Sequence, residues 1–181
     1  EYMAGDIDNL ARLLVRLFGK SRYGRDFTLY ALKRAIVEIL AHFPVYRTYI
    51  SGEKISGSDE AYIKEAVASS KNDNPGLLYE LEIIQRVMLM NYGGLIPDHE
   101  RYEWVNAARR LQQLCSAVMA KGLEDTMFYC FNRLISLNEV GGNPEVFGLN
   151  LKDFHEFNIK RAKNWPNTMN ASATHDTKRG E

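Results

Sequence analysis

The chain has 181 residues, with 23 basic and 23 acidic side chains and no formal net charge. Hydrophobic residues make up 45% and charged residues 25%, which is ordinary for a globular domain and excludes a disordered chain, a collagen-like repeat and a disulfide-stapled miniprotein. A nucleic-acid partner is not expected, because proteins that bind phosphates carry a basic excess or stripe. The balanced charge favours a neutral partner, such as a sugar or another protein surface.

The two cysteines, Cys115 and Cys130, lie far apart and lack the spacing of a metal site. One disulfide between them is an open alternative, but two scattered thiols favour a reduced, cytoplasmic protein. We expect neither a signal peptide nor a membrane span, since no apolar run approaches the roughly 20 residues that cross a bilayer. The first residue is Glu1 and not methionine, which makes a piece of a longer chain a reasonable expectation.

The first half of the chain predicts four amphipathic helices, because apolar residues recur at three- and four-residue steps. These helices cover about 7–17, 28–43, 58–71 and 77–88. Asp26 or Thr28 can cap the second helix, and Pro44 stops it because proline lacks the backbone donor that a helix interior needs. The β-branched and aromatic residues 45–50 predict an extended segment or a short strand.

The second half predicts three more helices. The first covers about 98–120 with Gly122 as its C′ residue, and the next covers 124–137. A third begins at Asn150, which forms a capping box with Asp153, and runs to about residue 164. Residues 168–174 form a short β-capable stretch. The predicted fold class is therefore mainly α, and the two extended segments fit best in a larger fold that has a sheet elsewhere.

Two clusters in this half could carry chemistry. His175 and Asp176 follow the β-capable stretch, and barrel enzymes place catalytic carboxylates at the C-terminal ends of their strands. The structural alternative is an aspartate that caps a following helix beside a surface histidine. Lys121, Glu124 and Asp125 surround a glycine at a predicted helix start. There the alternative is that acidic residues in a first turn complement the helix dipole.

Tyr46 and Arg47 are candidates for sugar binding. The guanidinium of Arg47 is a fixed fork of donors for hydroxyls or a carboxylate, and an aromatic ring such as that of Tyr46 offers an apolar face with a polar edge. A packing seam with a structural ion pair explains the same residues equally well. The four histidines show no metal-ligand spacing, and the glycine pairs lack the pattern of a phosphate loop, so no metal and no cofactor are expected.

Four stretches taken together resemble one family. They are FPVYRTYI (43–50), LQQL followed by VMAKGLEDTMFY (111–129), NRLISLNEVGGNP (132–144) and WPNTMNASATHDTKR (165–179). These look like maltooligosyltrehalose synthases, the (1→4)-α-D-glucan 1-α-D-glucosylmutases of the α-amylase clan of glycoside hydrolases. The resemblance follows the order of the chain over nearly its whole length, although residues 51–101 carry little of it.

The resemblance implies that the chain is a helical insertion late in a (β/α)8 barrel enzyme, a single helical region over 1–181 whose residues 168–179 lie on a late barrel strand. It implies an isomerase of trehalose biosynthesis that turns the terminal α-1,4 bond of a maltooligosaccharide into an α,α-1,1 bond by retaining transfer. Asp176 matches the aspartate that steadies the transition state, and His175 matches a contact to sugar hydroxyls. The nucleophilic aspartate and the general-acid glutamate match nothing here, so the chain alone is expected to be inactive.

Further residues are candidates for binding the maltooligosaccharide around Asp176. They are Lys178, Arg47, Tyr46, Lys121, Glu124 and Asp125. The other expected partner is the barrel core in the remainder of the parent chain, with neither nucleic acid nor membrane. Two alternatives stay open. One is a non-catalytic helical interaction module with an incidental HDTKR tail, and the other is a sibling hydrolase or glucanotransferase of the same clan.

Overall fold

The computed structural model describes residues 3–19, 26–52, 54–94 and 96–179, and no residue in these ranges forms a strand. The prediction of a mainly helical chain is therefore confirmed. Residues 45–50 and 168–174 are irregular, because no strand in the described part of the chain pairs with them. The chain divides into two compact units, Glu1–Ala120 and Lys121–Glu181.

The first unit is a helical bundle. Its described helices are α1 (Ala4–Phe18), α2 (Leu29–Ala41), α3 (Gly57–Asp73), α4 (Leu78–Met88) and α5 (Asp98–Val118), with a 3-10 turn at Pro75–Leu77 before α4. Helix α2 packs against α1, α3, α4 and α5, and α4 packs against α3 and α5. The predicted helices thus exist, with ends that differ by a few residues.

The core of this unit is built from the apolar stripes that predict the helices. Burying one such leucine or isoleucine contributes about 1.5–3 kcal/mol. Trp104 of α5 packs edge-on against two rings, with centroids 5.4 Å from Phe18 and 5.0 Å from Tyr92. The largest fully buried aliphatic side chains are Leu10, Leu14, Leu32, Ile36, Ile39, Ile63, Leu81, Ile84, Met88 and Leu111.

The predicted helix caps are confirmed at two positions. The Thr28 hydroxyl accepts a hydrogen bond from the Ala31 amide at 3.1 Å, so Thr28 and not Asp26 caps α2. The Asn150 side chain accepts from the Asp153 amide at 2.9 Å and begins the last helix of the chain. Each of these bonds satisfies one of the backbone donors that a helix start leaves without a partner.

The chain beyond α5 differs from the predicted pattern. A π-helical segment, Met119–Met127, continues from α5, followed by α6 (Phe128–Cys130), a 3-10 turn (Ile135–Leu137) and α7 (Leu151–Asn164). The prediction that Gly122 ends a helix is wrong, because the π-helical segment runs through it. The predicted helix over 124–137 is wrong beyond Cys130, since the Asn138 side-chain Nδ2 donates to the Phe128 and Phe131 carbonyls at 2.9 and 2.6 Å.

Candidate functional site

A tight turn presents His175 and Asp176 at the end of the second unit. The Thr174 amide donates to the Thr177 hydroxyl at 2.8 Å, and the Thr177 amide donates to the Thr174 carbonyl at 3.0 Å. The His175 Nε2 and Asp176 Oδ1 atoms lie 3.4 Å apart, with side chains 91% and 64% exposed. No helix begins between Asp176 and the last described residue, Arg179, so Asp176 is not a helix cap there.

Lys178, two residues later, is held by two carboxylates. Its side chain is 9% exposed, and its Nζ donates to Asp125 Oδ1 at 2.8 Å. Its backbone amide donates to Glu139 Oε2 at 2.9 Å. The other oxygen of Asp125 accepts from Lys121 Nζ at 2.6 Å. We call Lys121, Asp125, Glu139 and Lys178 the Lys178 cluster.

Hydrogen bonds within the Lys178 cluster shift the pKa values of Asp125 and Lys178. Those from Lys121 and Lys178 lower the pKa of Asp125 to about 2. The bond to Asp125 in turn raises the pKa of Lys178. Both groups therefore stay charged across the physiological range, and the charge-assisted bonds between them are of the stronger kind.

The loop that supplies Glu139 is tied to the π-helical segment. Glu124 is buried, and its Oε1 accepts from the Gly141 amide at 3.2 Å. Gly141 has φ +72°, a left-handed conformation that favours glycine. Asn138 is fully buried beside Glu139 and bonds the carbonyls at the end of α6. These contacts give the Glu139 carboxylate a defined position.

Tyr129 contacts the same tail through its ring. The Lys178 Nζ and the Arg179 guanidinium lie 5.8 and 5.6 Å from its centroid, within the range of cation–π attraction. Arg179 also donates to the Phe128 carbonyl at 3.4 Å. These contacts hold Lys178 and Arg179 against α6.

The structure brings together some of the predicted site residues. Lys121, Asp125 and Lys178 share one cluster, and Glu124 fixes the loop beside it. Sequence reasoning missed Glu139 and Asn138, although both lie in the stretch NRLISLNEVGGNP that carries the resemblance. The sequence does show an acidic residue directly after an asparagine in a loop that contains glycines. The partner of Glu139 is the Lys178 amide, 39 residues away, and no local pattern in the sequence points to it.

Tyr46 and Arg47 lie in the first unit, on the irregular segment 45–50. The Arg47 guanidinium stacks 4.7 Å from the Tyr49 centroid, and its Nε donates to the Thr48 carbonyl at 3.3 Å. Thr48 is buried, whereas Tyr46 and Tyr49 are both exposed. Arg47 keeps further donors in its guanidinium fork, which has five N–H groups.

Two features are absent from the described residues, a set of metal ligands and a membrane-spanning helix. In ranges 3–19, 26–52, 54–94 and 96–179, no three histidine, cysteine, aspartate or glutamate side chains come together as a set of metal ligands. Across the same part of the chain, no helix combines the length and the apolar character needed to span a membrane.

No protein-family model matches the chain. Two curated proteins, from two strains of Mycobacterium tuberculosis and both named maltooligosyl trehalose synthase, are 39% identical to it over 158 residues, or 87% of this chain and 18% of each relative. The structure of maltooligosyltrehalose synthase from Arthrobacter ramosus covers 98% of this chain and 20% of its own, with TM-score 0.71 and 32% identity. A mutant of that enzyme matches with the same TM-score. The resemblance is confirmed, and the chain spans about a fifth of the length of the proteins it matches.

Proposed function

We propose that this chain, a homologue of maltooligosyltrehalose synthases, is a helical segment of an enzyme that converts the terminal α-1,4 bond of a maltooligosaccharide into an α,α-1,1 bond. The observation that supports this best is the Lys178 cluster. Three of the four stretches that carry the resemblance supply its side chains, and His175 and Asp176 lie three and two residues before Lys178. Such convergence favours a built site over an incidental tail on an interaction module.

Asp176 is the proposed stabiliser of the transition state. Retaining transfer passes through an oxocarbenium-like state, and a carboxylate that binds ring hydroxyls of the distorted sugar favours that state. His175 lies beside it and offers a ring nitrogen to a hydroxyl of the same sugar. The nucleophile and the general acid that such chemistry needs are proposed to lie in the remainder of the parent chain.

The proposed reaction is an isomerisation in two transfers. The nucleophile displaces the last α-1,4 bond while the general acid protonates the leaving oxygen. The released glucose stays bound, turns, and attacks the glycosyl-enzyme with its anomeric hydroxyl in place of water. The atoms of the substrate are all kept, and the product has no reducing end. Water must be excluded for this transfer to prevail over hydrolysis.

The remaining candidates are proposed as sugar contacts in their own units. In the first unit, Arg47 offers hydrogen-bond donors and Tyr46 an aromatic face. In the second, the Lys121 side chain is largely exposed, which supports a direct contact with substrate hydroxyls. Glu124 is buried and bonded to Gly141, which supports a role in shaping the site. No resident cofactor takes part in the proposed reaction.

The remainder of the parent chain is the proposed partner of α7. None of the residues of α7 is buried, and its exposed apolar side chains include Leu151, Phe154, Phe157 and Ile159. A helix with such a stripe usually packs it against another element. The described chain spans about a fifth of its relatives, which leaves ample protein to cover it. We further propose a cytoplasmic enzyme whose isolated segment is inactive.

The test uses the full-length parent enzyme and maltohexaose. Reducing ends, free glucose and chain lengths are followed together. A fall in reducing ends without matching glucose release supports the proposed function. A rise in reducing ends identifies a hydrolase of the clan, and redistributed chain lengths with constant ends identify a glucanotransferase. No change in any of the three quantities leaves the interaction module as the better account.

A further inference from the structure

Lys178 is fastened at both its backbone and its side chain. Glu139 accepts the backbone N–H, and Asp125 accepts the ammonium group. The double attachment fixes the path of the main chain at Lys178 and not only the end of a side chain.

This attachment lies close to Asp176 along the chain. Two residues span at most about 7 Å of backbone. A displacement of the Lys178 backbone therefore also displaces the backbone of Asp176. Asp176 itself lies inside the turn that the hydrogen bonds between Thr174 and Thr177 close. Its backbone is thus held within a closed turn that is followed by an anchored residue.

We propose that Glu139 is a positioning residue for Asp176, acting through the backbone N–H of Lys178, with Asp125 as the second anchor. The inference rests on the proposed function, since it assigns Asp176 its role in glycosyl transfer. Glu139 is favoured over Asp125 as the main anchor because it binds the main chain directly, whereas Asp125 is shared with Lys121.

Glu139 is itself held firmly enough to serve as an anchor. Its carbonyl accepts from the Gly142 amide at 2.7 Å. The preceding residue, Asn138, is fully buried and bonds two carbonyls at the end of α6. A carboxylate on such a support can restrict the tail, because it does not move freely with the group it binds.

The activity test compares Glu139→Ala with Glu139→Gln in the full-length enzyme. Misplacing a reacting group by about 1 Å can cost on the order of 100-fold in rate. Glu139→Ala is therefore expected to lower kcat by at least about 10-fold with KM within about 3-fold. Glu139→Gln keeps an oxygen that accepts the Lys178 amide and is expected to restore kcat to within about 3-fold of wild type. Glu145→Ala, at a nearby exposed glutamate, is the matched control.

A second measurement does not depend on activity. Trypsin cleaves after lysine and arginine only where the backbone opens, and the anchored Lys178 is expected to resist it. Cleavage after Lys178 and Arg179, followed by mass spectrometry, is expected to be at least about 10-fold faster in Glu139→Ala than in wild type. Glu139→Gln and Glu145→Ala are expected to stay close to wild type.

The two measurements separate the possible failures. Unchanged cleavage in Glu139→Ala would overturn the anchor and with it the inference. Faster cleavage with unchanged kcat would overturn the positioning role. An equal loss of kcat in Glu139→Ala and Glu139→Gln would also contradict the positioning role, because the hydrogen bond kept by glutamine would then not restore the rate. A wild-type enzyme without synthase activity overturns the proposed function and the role of Asp176, while the trypsin result still decides whether Glu139 anchors the tail.

Discussion

Gln112 and Ile50 are joined by two hydrogen bonds that run in opposite directions. The Gln112 Nε2 donates to the Ile50 carbonyl at 2.9 Å, and its Oε1 accepts from the Ile50 amide at 2.7 Å. The same oxygen accepts from the Thr48 hydroxyl at 3.0 Å. The Gln112 carboxamide thereby pairs with backbone groups of the irregular segment 45–50, as a neighbouring strand would. Gln112, Ile50 and Thr48 are all buried.

Replacing Gln112 is expected to destabilise the first unit. Gln112→Leu leaves the Ile50 amide, the Ile50 carbonyl and the Thr48 hydroxyl buried without this partner, and each such group costs about 1–3 kcal/mol. We expect the free energy of unfolding in urea to fall by about 3 kcal/mol and the Ile50 amide to exchange with solvent faster. Gln113→Leu, at an exposed neighbour, should change stability by less than about 0.5 kcal/mol. Equal effects of the two variants would contradict the network.

The apolar stripe of α4 offers a matched pair of leucines. Leu81 is fully buried, whereas Leu78 is 38% exposed. Leu81→Ala creates a cavity and is expected to lower the free energy of unfolding by about 2–5 kcal/mol. Leu78→Ala is expected to cost less than about 1 kcal/mol. Denaturant unfolding followed by circular dichroism measures both, and a larger loss at Leu78 would mean that α4 packs with a different face.

The two cysteines are free thiols that should differ sharply in reactivity. Burial raises the pKa of the Cys115 thiol to about 12, whereas Cys130 is exposed. Only the thiolate is nucleophilic, so at pH 8 we expect iodoacetamide to label Cys130 and spare Cys115 until the chain is unfolded. Peptide mapping gives the labelled fraction at each site, with Cys130→Ser as control. Rapid labelling of Cys115 in the folded protein would contradict its burial.

The Asp125 carboxylate is expected to titrate at unusually low pH. Its folded-state pKa of about 2 lies below the ordinary value of 3.8, so its ion pairs stabilise the fold above about pH 4. That contribution is lost as the pH falls through about 2. The carboxyl carbon resonance should report this midpoint, and Lys178→Met should move it upward. Lys152→Met, on exposed α7, should leave it in place, and an unmoved midpoint in Lys178→Met would disprove the pairing.

Neutralising Asp176 tests the proposed chemistry directly. In the full-length enzyme, Asp176→Asn is expected to lower the rate of maltohexaose conversion by at least about two orders of magnitude, or ~2.7 kcal/mol of transition-state stabilisation. The control is Asp98→Asn, at an exposed position in the first turn of α5. Near-normal turnover by the asparagine variant would remove Asp176 from the proposed mechanism.

The helices of the first unit are predictable because periodicity and burial agree there. Leu10 and Leu14, or Ile36 and Ile39, repeat at helical spacing and are fully buried, and Thr28 has the capping bond that its position predicts. The structure of residues 45–50 is predicted less well from the sequence. Their composition favours a strand, but the partner that satisfies them is a single glutamine 62 residues away, which no local pattern reveals.

The site shows the same division between local and distant information. Asp125 is a plausible candidate from its neighbours in sequence, and its bond to Lys121 spans only four residues. Its second partner, Lys178, is 53 residues away, and Glu139 is recognised only once the tail is seen against it. The predicted helix over 124–137 is wrong beyond Cys130 for a related reason. The buried side chain of Asn138 donates to the Phe128 and Phe131 carbonyls, which would otherwise accept the backbone hydrogen bonds of a continuing helix.

The π-helical segment determines how this region accepts a change of length. The Thr126 hydroxyl donates to the Lys121 carbonyl five residues earlier at 2.7 Å, in keeping with the wider winding of Met119–Met127. Removing one residue such as Gly122 would favour ordinary α-helical winding, in which each residue is a rotation of about 100°. Lys121 and Asp125 would then be three residues apart and would stay on one face, because side chains three and four residues apart are neighbours on an α-helix. The ion pair between them is therefore expected to survive a one-residue deletion in this segment.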